Sequence, residues 1–155
     1  MADVRRCVRQ LCAATARRCY AEEVRAAARR VFRPAAGGVG PGHSETVYRN
    51  ALALELRSLT PRACVLTEAV EPIVYRGVNV GFCRADIVVE HAGSAGSARR
   101  GCSVLELKQT LAKTGGSAAD VYKWTLQAAK YKLYFSASEA MLVVFGRDDA
   151  AVTAV

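Results

Sequence analysis

Around Pro61 the hydrophobic pattern of this chain changes period, and that change restricts it to a mixed α/β architecture. Before Pro61 apolar residues recur at helical spacing: Val24, Ala27, Ala28 and Val31 share a face, as do Tyr48, Leu52 and Leu56. One or two helices are expected over residues 4–32, with a break near Cys19. Residues 33–42, RPAAGGVGPG, must then interrupt regular structure. A further helix is expected from Ser44, its N-cap, to Ser58. After Pro61 the residues fall into five strand-like runs: Cys64 to Leu66, Ile73 to Tyr75, Val78 to Phe82, Asp86 to Val89, and Ser103 to Leu107. A patterned helix over 118–135 and a last short strand from Met141 to Phe145 follow, before a polar end.

With 155 residues the chain fits one domain, and 52% hydrophobic against 23% charged residues argues for a packed core rather than disorder. No apolar run reaches the length of a membrane span. Arg5, Arg6 and Arg9 interrupt the segment where a secretory signal would need its apolar core, so an intracellular protein is expected. The six cysteines form no CxxC pair, and His43 and His91 are not at zinc spacing from them, which points to reduced thiols. Nine arginines against three acids give residues 1–33 a charge of +6 out of the total +8. A polyanion-binding arm, a solvated helix face and a coding bias toward arginine all account for this. A mitochondrial presequence is the less favoured account, because serine is absent from the first twenty residues.

Residues 102–109, CSVLELKQ, read as a buried strand that nevertheless carries Glu106 and Lys108 on one face. A salt-bridged outer face is the ordinary explanation. A second becomes available if this strand pairs with the one carrying Asp86 across a hairpin centred on Gly96. Glu90 then lies opposite Cys102, Asp86 opposite Glu106, and Arg84 opposite Lys108, with opposed Cβ atoms about 5 Å apart. Two opposed carboxylates repel, and a divalent cation such as Mg²⁺ relieves the conflict. Lys108 would then stand beside the scissile phosphate and stabilise developing negative charge. On these terms, neutralising Asp86 or Glu106 should leave metal-free stability unchanged or raise it. Glu45, at the head of the apolar stripe of its helix, is a candidate third acid, although a first-turn carboxylate is also favoured by the helix dipole.

On the later helix Lys123, Gln127, Lys130 and Tyr134 share one side, while Trp124, Leu126, Ala128 and Tyr131 are available for packing. Gln127 lies one turn before Tyr131 and can orient a water or a carboxylate.

Taken in order, Gly42, Glu45 and Tyr48 in GPGHSETVY, Asp86 in FCRADIVVE, Glu106 and Lys108 in LELK, and Gln127 and Tyr131 in QAAKY form a set. The set resembles the GxxExxY proteins of the PD-(D/E)XK nuclease superfamily, over about residues 20–146. The resemblance implies a restriction-endonuclease-like αβββαβ core, with a mixed central sheet flanked by helices. It divides the chain into a basic helical extension, residues 1–19, and a nuclease-like domain, residues 20–155. By position Asp86 and Glu106 match the metal-binding acids, Lys108 the catalytic lysine, Glu45 the helix-borne acid, and Gln127 with Tyr131 the QxxxY pair. Ala85 stands where the superfamily name has proline, and His43 and Ser44 are more polar than is usual before this helix.

The function expected is a Mg²⁺-dependent nuclease acting on DNA, with Mn²⁺ able to substitute. Glu45, Asp86, Glu106, Lys108 and Gln127 form the catalytic set, and Asp86, Glu106 and Glu45 hold the metal. Arg5, Arg6, Arg9, Arg17, Arg18, Lys123 and Lys130 are the expected nucleic-acid contacts. No membrane partner is expected, and a homodimer is compatible. The alternative is a non-catalytic nucleic-acid-binding or assembly module on the same fold.

Overall fold

The computed structural model describes residues 20–61, 63–91, 101–110 and 116–155. The expected extension 1–19 with its five arginines, and residues 92–100 of the expected hairpin loop, lie outside the described residues. Helix α1 covers residues 20–32, α2 Glu45–Leu59 and α3 Ala118–Tyr134. The strands are β1 Cys64–Tyr75, β2 Val78–Glu90, β3 Cys102–Gln109, β4 Glu139–Phe145 and β5 Ala150–Ala154. They form one sheet in sequential order, antiparallel throughout except for the parallel β3/β4 pair. Parallel neighbours cannot be joined by a tight turn, and α3 makes the crossover between them.

Helices α1 and α2 pack on one face of the sheet. The stripes Val24, Ala27, Ala28, Val31 and Tyr48, Leu52, Leu56 meet Ile87, Val89, Leu105, Leu107, Met141, Val143 and Phe145 in a single buried cluster. Each of the larger side chains, Val, Leu, Ile, Met or Phe, contributes roughly 1.5–3 kcal/mol by leaving water. The α3 face is thinner: Ala85, Val88 and Val104 are covered by Tyr131, Phe135 and Ala137. Leu126, expected to pack, is instead 53% exposed, as α3 meets the sheet through the face carrying Ala128 and Tyr131. A capping box between Ser117 and Asp120 starts α3.

Four of the expected short strands are two long ones. Glu68, Glu71 and Arg84, which lie between the expected runs, are positions within one continuous hairpin, β1/β2, rather than breaks. Its tip is a two-residue turn in which Arg76 and Gly77 both have left-handed φ, 49° and 79°, the geometry that matches strand twist. The tip extends past the helices, so Val74, Tyr75, Val78, Val80 and Phe82 are exposed. β5 replaces the expected polar end. Its alanine-rich sequence carries little strand propensity, and the pairing Phe145↔Ala150 through Met141↔Ala154 forms it.

Candidate active site

The site is built from the start of α2 and the middle of the sheet. After α1 the chain folds back on the end of that helix: the N–H of Gly38 donates to the carbonyl of Arg33, and that of Val39 to the carbonyl of Val31. A Cβ on Gly38 would lie 2.1 Å from the Arg30 carbonyl oxygen, so only glycine fits there. The returning loop is then pinned from α2. Tyr48 is fully buried, stacks on Phe145 at 4.2 Å, donates its hydroxyl to Gly40 O at 2.9 Å, and accepts from the His43 N–H at 3.3 Å. Ser44 occupies the N-cap, although its side chain makes no capping hydrogen bond. The tyrosine of the GxxExxY pattern thus ties down the loop that delivers Glu45.

β2 and β3 pair in the expected register from Glu90↔Cys102 to Ile87↔Leu105, and the ladder stops there. At the next step the Asp86 carboxylate enters in place of a backbone partner, its Oδ2 accepting from the Leu107 N–H at 2.9 Å. The expected Arg84–Lys108 juxtaposition does not form. Arg84 is drawn outward to Glu68 at 3.7 Å and is mostly exposed, whereas Lys108 is largely buried. Glu106 is 1% exposed. Lys108 Nζ donates to Glu106 Oε1 at 2.5 Å and lies 3.8 Å from Glu45 Oε2. Glu45, Glu106 and Lys108 are therefore brought together, with Asp86 close enough to raise the affinity of both Glu45 and Glu106 for protons.

Two further residues belong to the cluster and were missed from the sequence. Arg49 donates to Asp86 Oδ1 at 3.4 Å and pairs with Glu68 at 3.4 Å, with only 11% of its side chain exposed. It lies four residues after Glu45 on α2, so helical spacing could have placed it on the same face. Glu68 sits in β1 at φ 51°, a left-handed conformation unusual for a non-glycine strand residue. The β1/β2 ladder passes from Thr67↔Ile87 to Ala69↔Ala85 without a Glu68–Asp86 pair. Across this step the faces exchange: Ile87 packs under α1 and α2, Ala85 and Ala69 under α3. Backbone irregularity of this kind gathers at functional sites.

Burial raises the Glu106 carboxyl to about 7, with Asp86 and Glu45 adding to the rise and Lys108 opposing it. Glu45 is likewise raised by burial, against the pull of Lys108. Burial lowers the Lys108 ammonium, but the hydrogen bond to Glu106 and the fields of Glu106, Glu45 and Asp86 outweigh it, leaving Lys108 above the ordinary lysine range. Glu106 Oε2 is buried without a hydrogen-bond partner, a costly arrangement for a carboxylate unless something occupies that side. Among the described residues no three His, Cys, Asp or Glu side chains form a ready cation cage. The donor set nevertheless fits a hard cation such as Mg²⁺, which takes one or two carboxylates and keeps several waters.

Gln127 and Tyr131 form a pair of their own, the amide Nε2 donating to the tyrosine hydroxyl at 3.0 Å. Among the described residues no hydrogen bond joins Gln127 to the acids. Lys123 and Lys130 are exposed on α3, the latter 5.7 Å from the centre of the Tyr134 ring. The described cysteines, Cys64, Cys83 and Cys102, are free thiols. No described helix is long and apolar enough to cross a membrane.

Comparison with known proteins agrees with this geometry. A solved structure, the crystal structure of SSO0001, superposes on 70% of this chain with a TM-score of 0.51 at 20% identity, a likeness of fold. This chain spans 48% of the length of that one. A search of curated proteins finds no match. The sequence model of the PD-(D/E)XK nuclease superfamily matches residues 19–94, a span that carries Glu45, Arg49, Glu68 and Asp86. With its mixed sheet and flanking helices, the chain matches the PD-(D/E)XK nuclease superfamily in sequence over residues 19–94 and is consistent with its fold.

Proposed function

We propose that the chain is a divalent-metal-dependent nuclease of the GxxExxY group that hydrolyses phosphodiester bonds of DNA inside the cell. The observation that carries this reading is the buried Glu106 carboxylate, with one oxygen unpartnered and the other held by a lysine that also faces Glu45. Asp86 and Glu106, with Glu45, would hold Mg²⁺ or Mn²⁺. When bound, such an ion supplies Lewis-acid polarisation of the phosphate and a more acidic water. Arg49 and the Leu107 N–H fix the Asp86 carboxylate, so it is held in place before substrate arrives. Lys108 brings positive charge to where the phosphorane-like transition state gathers negative charge. Gln127, steadied by Tyr131, orients a water or carboxylate at the rim.

Lys123 and Lys130, with the arginines of residues 1–19 as a separate basic extension, supply long-range attraction to the polyanion. The direct test is cleavage of a fluorescent duplex oligonucleotide. Cleavage should require Mg²⁺ or Mn²⁺ and be lost in Glu106→Gln; cleavage that survives EDTA refutes the proposal.

A second reading, a non-catalytic binding or assembly module, is favoured by one feature: Asp86 and Glu106 already have internal cations in Arg49 and Lys108. On that reading calorimetric titration finds no Mg²⁺ or Mn²⁺ binding that depends on Asp86 or Glu106, and DNA binding needs no divalent ion.

A further inference from the structure

The ends of β3 and β4 open onto two adjoining hollows that the candidate active site does not use. The nearer, of about 530 Å³, is lined by Gly42, Gln109 and Gly146 among others. Gln109 directly follows Lys108 and Gly42 precedes Glu45 by three residues, so this hollow begins where the acid cluster ends. Gly42 has φ 85° and open space where a Cβ would stand, leaving its backbone bare to an approaching ligand. Pro41, Arg147 and Asp148 line both hollows and join them. The farther is a groove of about 1060 Å³ walled by Arg29, Arg33 and Arg147.

These three arginines differ from the other described ones. Arg25, Arg30, Arg49 and Arg84 each pair with a carboxylate. Arg57 donates to the Val65 carbonyl, and Arg76 lies over the Tyr75 ring. Arg29, Arg33 and Arg147 are exposed and form no ion pair among the described residues, although Asp148 and Asp149 line the same groove. Asp149 is occupied in the β4–β5 turn, its side chain accepting from the Ala150 N–H and its carbonyl from the Gly146 N–H. Arg29 and Arg33 lie four residues apart at the end of α1, where like charges repel. A polyanion laid in the groove would offset that repulsion, and an exposed guanidinium offers forked donors to phosphate oxygens.

We infer that the nucleic-acid strand leaving the active site crosses the bare backbone at Gly42 and is gripped through its phosphates by Arg147, Arg33 and Arg29. This rests on the nuclease reading, and the test keeps the two apart. Binding of a fluorescent duplex oligonucleotide to the full chain is measured by anisotropy over a salt series, with Ca²⁺ in place of Mg²⁺. Replacing Arg29, Arg33 and Arg147 together by Gln should lower the salt slope by about 2 to 3, since each phosphate contact adds about 0.9, and weaken binding at least about tenfold. Arg76→Gln, at the hairpin tip, should leave the slope in place. Asp148→Asn removes the remaining carboxylate and should tighten binding, a gain that a misfolded protein cannot give. An unchanged slope in the triple variant, or no tightening in Asp148→Asn, overturns the inference. Wild-type hydrolysis of bis(p-nitrophenyl) phosphate, too small to span the groove, reports separately on the nuclease reading.

Discussion

Replacing Glu106 by Gln should make the protein's metal-free stability independent of one titration that otherwise weakens it. In the unfolded chain this carboxyl has its ordinary value of 4.5, and in the native protein burial raises it to about 7. Between those values the native state holds more protons than the unfolded state, so stability falls as pH rises. The contribution is full below about 4.5 and gone above about 7. The interval corresponds to about 3 kcal/mol, since one pH unit is about 1.4 kcal/mol. Lys108, held above the lysine range, stays protonated throughout and adds no slope in the wild type. The carboxamide can still accept from Lys108, but its bond lacks charge, so the absolute offset between the two proteins mixes several effects. The difference in slope does not. Urea denaturation in EDTA, followed by circular dichroism from pH 4.5 to 8, should show the variant gaining about 3 kcal/mol on the wild type across the range. Mg²⁺ at a hundred times its Kd should return about 2.7 kcal/mol to the wild type at pH 8 and little to the variant. A difference that stays flat across the range refutes the assignment of Glu106 as a desolvated acid.

Asp86→Asn should act in the opposite direction, losing about 2 kcal/mol at pH 7 because the largely buried Arg49 keeps only the half-exposed Glu68 as a charged partner; equal or higher stability by denaturant titration would remove Asp86 from that pair. Lys108→Ala should slow cleavage on the order of a hundredfold with a smaller effect on DNA affinity, and a variant of wild-type rate would return Lys108 to a purely structural role. Tyr48→Phe keeps the stacking on Phe145 but leaves the buried Gly40 carbonyl unpaired, costing about 1–3 kcal/mol; a thermal melt matching wild type would show that the loop is held by other contacts.

What could be read from the sequence was what depends on neighbours along the chain. The stripe Tyr48, Leu52, Leu56 follows from helical spacing, and its burial placed Glu45 at the edge of the core. The β2/β3 register followed from strand alternation and a central loop, and the pairs Glu90↔Cys102 to Ile87↔Leu105 agree with it. The equal treatment of Asp86 and Glu106 did not hold. Their difference depends on Arg49 arriving from α2 and on the ladder opening at Leu107, and neither is encoded in the hairpin's own pattern. Glu68 was passed over because a carboxylate in a half-exposed strand is ordinary; only its φ of 51° sets it apart. β5 was lost for a similar reason, since its residues become a strand only when β4 offers an edge.

The parallel β3/β4 pair also bears on the order in which the molecule assembles. Helix α2 and the β1/β2 hairpin are contiguous, but the Arg49–Asp86 contact between them already spans 37 residues. β3 gains its second neighbour only after the chain has traversed α3 and returned as β4, a closure across some thirty residues. Until then Glu106 stays hydrated and ionised near neutral pH. Docking the centre of the sheet strips that water away, so this step is coupled to uptake of a proton between about 4.5 and 7. Protons therefore act as a folding reagent for this chain when metal is absent: stopped-flow refolding in EDTA should slow from pH 5 to pH 8 in the wild type, and a Glu106→Gln variant showing the same slowing would place the proton elsewhere.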